Sequence, residues 1–566
     1  MTNLHPKLVP ILFCLVLGLA VYSVLVAPIF QYSSTDWGLL SKLPISYWMA
    51  FAAMVFSVFY IILRNAFNFR NIVFLLLMIF VLLYFAPILI ERPVGLTPRS
   101  LWPSSEVNIL IATGHISSDS AMQLLSYDSW PVFNMLGATI IMVTGISLES
   151  LAKYFPLFIV GLWGLLVFLV LRVSLHREYA LIGTALFMTG LWARLQYFSP
   201  QSIALAFFLV FVLLFVKKLF YQESKISSQT RRTQVIIFLI IVVTVFAHAL
   251  TALFMILIMG AFYLITKILP AFRNDLRQHT IAITVGICTF LLFAHAIFFA
   301  PQFFGWVTQE MYHTAQNLLE LSVYQQGLRI SGSMYRQWTN ILTEALILIN
   351  ILVWLIAVGH TYRKKTMSRY QLTFWVSFAI VLIVPSLILP YGQEAPFRAF
   401  TFALLDFSLL SVLLLKKKLR ILLALILVLV VLSLPTMYGT ETFKLATATE
   451  LSGTGFTMAY SPEGARILYH DESYLRYHDP LKDIQLVTLG TPPFNVKLEP
   501  SVVDETIGEA DYVILSQTQE NFYVFNTGSN PLSETKMTNL TSFNKIYSND
   551  GFQLFCRVDA FHMNTP

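Results

Sequence analysis

The run ILLALILVLVVLSLP, residues 421–435, is apolar almost throughout and stops at a proline. Upstream of it, similar apolar runs alternate with short charged links. Downstream, the chain has ordinary polarity to its end. A helix needs about 20 apolar residues to cross a hydrocarbon core of about 30 Å. The run is thus expected to be the last of a series of spans, and the reading is a multi-pass α-helical membrane protein with a small C-terminal α/β domain. Residues 1–436 form the polytopic part, and 437–566 a soluble, extracytoplasmic domain.

Composition agrees. Of 566 residues, 57% are hydrophobic and 12% charged, and mean hydropathy is +0.70, whereas soluble domains run at about 45–50% apolar and about 25% charged. A net charge of +7 would suit nucleic acid, but the lysines and arginines cluster between apolar windows, where they set orientation. No nucleic-acid partner is expected. Cys14, Cys288 and Cys556 suggest neither a disulfide framework nor a CxxC site nor a thiol catalytic pair. The apolar run 8–30 after Lys7 is too long for a signal-peptide core and lacks a small-residue cleavage site, so it reads as the first span.

Thirteen spans are expected, at about 8–30, 45–63, 71–90, 151–173, 178–194, 200–216, 234–250, 251–266, 280–299, 339–359, 371–390, 398–415 and 420–436. With Lys7 cytoplasmic, the basic clusters at 64–70, 172–177, 217–232, 267–277, 363–369 and 416–420 all fall inside. This requires that VFNMLGATIIMVTGIS (132–147), short for a span, is re-entrant or interfacial. The Asp36 loop, residues 91–150, residues 300–338 and the tail then lie outside. The tail offers strands RILYH (466–470), IQLVTL (484–489), DYVILS (511–516) and GFQLFCR (551–557), with SNDG (548–551) as a turn before the last. Asn539-Leu540-Thr541 is a glycosylation acceptor pattern. No internal repeat is visible.

The chemistry concentrates in SLWPSSEVNILIATGHISSDSAMQLLSYDSWP (100–131), which carries Glu106, His115, Asp119 and Asp128 between apolar stretches. On a helix His115 and Asp119 share a face, which could orient the imidazole or hold a divalent ion. Oxygen-rich sites suit Mg²⁺ or Mn²⁺, and a carboxylate there could deprotonate an acceptor hydroxyl. A solvated polar helix is the competing reading. Arg99, Arg194, Arg329, Arg336 and Arg398 depart from the inside bias, and their planar donor forks suit a lipid-linked phosphate. Headgroup snorkelling would explain each equally well. Arg398 stands out because Glu394 precedes it by four residues where the chain re-enters the membrane. Glu344 and Asp406 lie within spans, where an ionised group costs at least about 2.5–3.5 kcal/mol and by default faces a cavity or a partner. His248 and Gln201 are candidates to line a cleft, with satisfied turn residues as the alternative.

Taken together, the spans, the acidic outer loop, the Trp130-Pro131 helix start, Gly145-Ile146-Ser147, the helix start at Pro200 and the soluble tail resemble the GT-C superfamily of membrane glycosyltransferases. The resemblance is spread loosely over about 435 residues. It implies a polyprenyl-phosphate-linked sugar as donor, and a glycan, lipid or protein as acceptor on the outer face of the cell membrane. It implies an acidic base or metal ligand at Glu106 first, Asp119 second and Asp36 third, with lipid-phosphate contacts from Arg398, Arg194, Arg329 and Arg336. His115 with Asp119 would hold any Mg²⁺ or Mn²⁺. The chain departs from the family in lacking a paired-acid motif in its first outer loop and a W-W-D-Y-G motif in its tail. A polysaccharide polymerase or ligase using a lipid-diphosphate oligosaccharide, and a lipid or polysaccharide transporter, are the alternatives.

Overall fold

The structure, a computed structural model, describes residues 7–28, 36–91, 95–96, 98–115, 130–191, 196–221, 228–269, 277–301, 305, 308–309, 334–379, 395–439, 445–471, 473–479, 482–489, 500–527, 530–538 and 540–558. Ten of the described helices are long and apolar enough to cross a membrane: Leu8–Val26, Ile45–Arg64, Phe69–Glu91, Leu148–Ser174, Pro200–Phe220, Ala249–Ile268, Gln278–Phe298, Gln337–Lys364, Arg398–Leu415 and Leu419–Tyr438. The protein is an integral membrane protein built mainly of helices.

The expected thirteen spans are not reached among the described residues. Arg177–Gly190 has 14 residues, about 21 Å at 1.5 Å per residue and short of a hydrocarbon core of about 30 Å. Arg369–Ser377 has nine, and the apolar part of Ser228–Ala247 begins only at Arg232. The run read as re-entrant is a 14-residue helix, Pro131–Thr144, whose first residue is the proline and which ends on Gly145 in the left-handed region at φ 70°.

In the most apolar stretch of each helix, 83% of the residues are buried for Arg398–Leu415 and 11% for Gln337–Lys364, so the former lies inside the described bundle and the latter at its margin. The span Phe69–Glu91 shows how a membrane core satisfies irregular backbone. A π-turn at Val81–Phe85 ends with Ala86 N–H donating to the Val81 carbonyl, and Pro87, one residue on, has no N–H to give. Pro87 thereby leaves the carbonyls of this turn one main-chain donor short. The Tyr47 hydroxyl donates to Leu82 O at 2.6 Å and the Tyr438 hydroxyl to Leu83 O at 2.5 Å. In hydrocarbon no water could take that role.

Beyond Tyr438 the chain forms a five-stranded sheet in the order β4 (Ile484–Val487), β3 (Ala465–Leu468), β5 (Tyr512–Ser516), β7 (Phe552–Arg557), β6 (Phe543–Asn549). β3 runs parallel to β4 and β5, and β7 is antiparallel to β5 and β6. β5 is buried on both faces, as its unbroken apolar run YVIL requires. Gly551, at φ 101°, turns the chain between β6 and β7. A separate two-stranded ribbon joins the two parts of the molecule: β1 (Gly95–Leu96), just after the third span, pairs antiparallel with β2 (Ala446–Thr447) at the start of the tail. The helix Leu101–Thr113, which follows β1, and the tail therefore lie on one face.

Candidate functional site

Glu106 sits on the helix Leu101–Thr113, which Gly114 ends in the left-handed region at φ 73°. This helix packs against Pro131–Thr144, against Leu148–Ser174, and against the tail's short helix Ser473–Arg476. The approach to Pro131–Thr144 is close. A Cβ on Gly137 would lie 2.9 Å from the Val107 side chain and 3.2 Å from the Phe198 ring. Glu106 and its neighbours Ser104 and Ser105 are buried as a result. The tail roofs this region. Tyr477 lies near enough to Glu149, at the start of Leu148–Ser174, that burial and then that carboxylate push its hydroxyl up to about 12.

The bend before the helix Pro200–Tyr221 forms the next wall. Phe198 packs against Phe133 in a tilted pair at 4.6 Å and meets Phe155 edge-on at 5.3 Å. On either side of Phe198, Gln196 and Gln201 are buried. Neither amide atom of Gln196, nor Oε1 of Gln201, makes a hydrogen bond among the described residues. Trp130, at the start of Pro131–Thr144, lies over the His295 ring at 4.7 Å, and Phe246 and Phe299 complete an aromatic box around that imidazole.

Arg398 is half-buried in the first turns of the helix Ala395–Leu415. Its charge acts on His248, which caps the helix Ala249–Ile268 by accepting from Thr251 N–H at 3.2 Å. His248 is thus a satisfied turn residue with a guanidinium beside it. Buried acid, unpartnered amides, an aromatic box and an arginine consequently occur at helix ends facing the tail. Buried amides of this kind can bind hydroxyls, and the arginine can hold an anion.

The chain is similar to ArnT. A solved structure of ArnT from Cupriavidus metallidurans bound to undecaprenyl phosphate shares 11% identity with it at a TM-score of 0.37, the match covering 86% of this chain and 97% of that one. The apo structure of the same protein shares 11% identity at 0.37, covering 82% and 94%. No family model and no curated protein matches the sequence.

The other expected site residues are dispersed. Asp36 is occupied locally, pairing with Lys42 at 3.0 Å and accepting from Gly38 N–H at 2.8 Å. His115 is exposed, with Nδ1 3.1 Å from the Thr113 carbonyl. Asp119, Asp128, Arg194, Arg329 and Glu394 lie outside the described residues, as do the side chain of Arg336 and the pattern at Asn539. Among the described residues no three His, Cys, Asp or Glu side chains converge as a metal site would need. Asp406 accepts from Trp354 Nε1 at 2.6 Å and ties the helix Ala395–Leu415 to Met334–Lys364, while Glu344 is exposed on that marginal helix. Sequence reasoning passed over Glu91, Gln196 and His295, all buried. A lone ionisable residue within LLFAHAIFFA, as His295 is, was the signal available.

Proposed function

We propose that the protein is a membrane glycosyltransferase. It moves a sugar from a polyprenyl-phosphate-linked donor to an acceptor hydroxyl on the face that carries the tail, in building a cell-surface polysaccharide or glycoconjugate. The observation that supports this most directly is Glu106: a buried carboxylate on a helix that packs against the tail. In this reading Glu106 takes the proton from the acceptor hydroxyl as its oxygen bonds to the anomeric carbon. The bond from that carbon to the phosphate oxygen breaks, and the lipid phosphate leaves with the electron pair. Arg398 faces the departing charge, where a guanidinium's donor fork fits a phosphate. Gln196 and Gln201 orient sugar hydroxyls, and the tail keeps water from the reacting carbon. Mg²⁺ or Mn²⁺ enters this reading only through Asp119 with His115, and no step is routed through it.

The reaction is tested with purified protein in proteoliposomes supplied with a polyprenyl-phosphoryl hexose. Glu106→Gln is expected to keep fold and donor binding but to lose transfer by about 10²–10⁴-fold, the usual contribution of a positioned base. Unchanged transfer in this variant would remove Glu106 from the chemistry. Asp119→Asn reports separately on the metal, since it matches the loss only where a divalent ion is required.

A further inference from the structure

On the face opposite the tail, the turns that open the helices Phe69–Phe80 and Arg177–Gly190 enclose an open cavity of about 630 Å³. The two helices pack against each other, so both starts meet here. Arg70, His176 and Arg177 line the cavity with Glu178 as its one carboxylate, and Phe67, Phe69 and Tyr179 supply an aromatic flank. Arg177 is held in place. Its guanidinium lies over the Phe69 ring at 4.7 Å, and its Nε donates to Glu178 Oε1 at 3.0 Å, which also binds His176 through its other oxygen. The terminal Nη groups of Arg177 make no hydrogen bond among the described residues, and its side chain is 56% exposed. A guanidinium fixed by its Nε and its face, with both Nη groups turned loose, is preorganised for the two oxygens of a phosphate. Tyr179, whose hydroxyl donates to the Lys416 carbonyl at 3.2 Å, brings the basic turn Lys416–Lys418 beside the same site.

We propose that this cavity binds the phosphate of an anionic lipid headgroup, with Arg70 and Arg177 on the phosphate and the aromatic flank against the glycerol and first methylenes. Basic pockets between membrane helices are suited to such headgroups. The site is separate from the candidate active site at the other membrane face, and its occupancy does not depend on the transfer reaction.

The full-length protein is reconstituted in nanodiscs of phosphatidylcholine with and without phosphatidylglycerol, and retained lipid is counted by native mass spectrometry. Wild type is expected to retain phosphatidylglycerol. The double variant Arg70→Gln/Arg177→Gln is expected to lose affinity about tenfold or more, the equivalent of one charge-assisted hydrogen bond. Arg363→Gln/Lys364→Gln makes the same charge change on the same face, at exposed residues away from the cavity, and is expected to retain the lipid. Arg177→Lys keeps the charge without the fork and is expected to fall between, which guards against a double variant that misfolds. Millimolar inorganic phosphate distinguishes the source. Lipid retained in its presence assigns the site to headgroups, and lipid displaced with protection of the phosphatidylcholine sample assigns it to a soluble phosphate. Equal retention in the cavity variant and the control overturns the proposal.

Discussion

Asp406 shows how a neighbour decides a single residue's reading. An acid in a span was expected to face a cavity or a partner, and here one carboxylate oxygen accepts from Trp354 while the other makes no hydrogen bond among the described residues. If the pair is an inter-helix tie, Trp354→Phe should leave a buried carboxylate without its donor and cost about 1–3 kcal/mol. The double variant Trp354→Phe/Asp406→Leu should recover most of that loss, because removing both partners avoids an unsatisfied group. Thermal unfolding in detergent measures both, and no recovery in the double variant would mean that Asp406 has another role. Arg398 is judged the same way. As the proposed phosphate contact, Arg398→Lys should weaken binding of a polyprenyl phosphate while leaving the unfolding temperature near wild type, and Arg398→Ala should weaken it further, by about 1.5–3 kcal/mol. Normal binding with a lower unfolding temperature would make Arg398 a structural neighbour of His248. The polar candidates in loops were legible because charge is costly near grease and invites a reason. Gln196 and His295 were not, because their meaning depends on which helix ends meet, and a period along one chain does not carry that.

At the scale of elements, β3, β4, β5, β7 and most spans were legible from their apolar runs, and the turn before β7 from SNDG, whereas β6 was not named because its run FNKIYSN is largely polar. Arg177–Gly190 was overestimated because an apolar window continues through Leu191 and Trp192, whereas the helix ends at Gly190. The ribbon between β1 and β2 was invisible, since two residues on each side carry no period. In the tail, Gly453 lies directly beneath the Phe552 ring, where a Cβ would overlap it. Gly453→Ala should therefore destabilise the packing of the helix Ala448–Tyr460 on β7 by about 1–3 kcal/mol, read as faster amide exchange in β5 and β7. The tail also predicts its own pH response. Burial among Tyr469, Tyr474 and Phe522 pushes His470 down to about 3 from 6.5, so between those values the unfolded tail binds the extra proton and stability falls as pH falls. His478, also lowered by burial, acts in the same sense. Glu450 is raised by burial, although Tyr469 and Thr518 donate to it at 2.6 and 2.5 Å, and Asp471 is raised likewise. These acids favour the folded tail at low pH and withdraw that support as pH rises above their ordinary values. His470→Phe should therefore flatten the loss of exchange protection between pH 6.5 and 4.5, while an unchanged slope would assign the loss to other groups.

For the whole molecule, orientation decides which face meets donor and acceptor. The ribbon of β1 with β2 places the Glu106 helix and the tail together, and the turns at 64–70, 172–177, 364–369 and 416–420 close the opposite face. Those four turns carry Arg64, Arg70, Arg172, Arg177, Lys364, Lys365, Arg369, Lys416, Lys417, Lys418 and Arg420, whereas the described residues of the tail-facing loops hold few arginines. Short basic loops remain cytoplasmic during insertion because positive charge near a span's end resists translocation. On this rule the tail is expected outside, the side on which the proposed acceptor would reach Glu106. A cysteine-free version, with Cys14, Cys288 and Cys556 replaced, tests this with single exposed reporters at Ser501 in the tail and Thr366 in a basic turn. In intact cells an impermeant thiol reagent should modify Ser501→Cys and spare Thr366→Cys, and permeabilisation should expose the second. The reverse pattern would put Glu106 and the tail in the cytoplasm, so that donor and acceptor would have to be cytoplasmic too, and the headgroup cavity would face the outer leaflet. Modification of both in intact cells would mean mixed insertion, which the one-sided distribution of eleven basic residues in those four turns argues against.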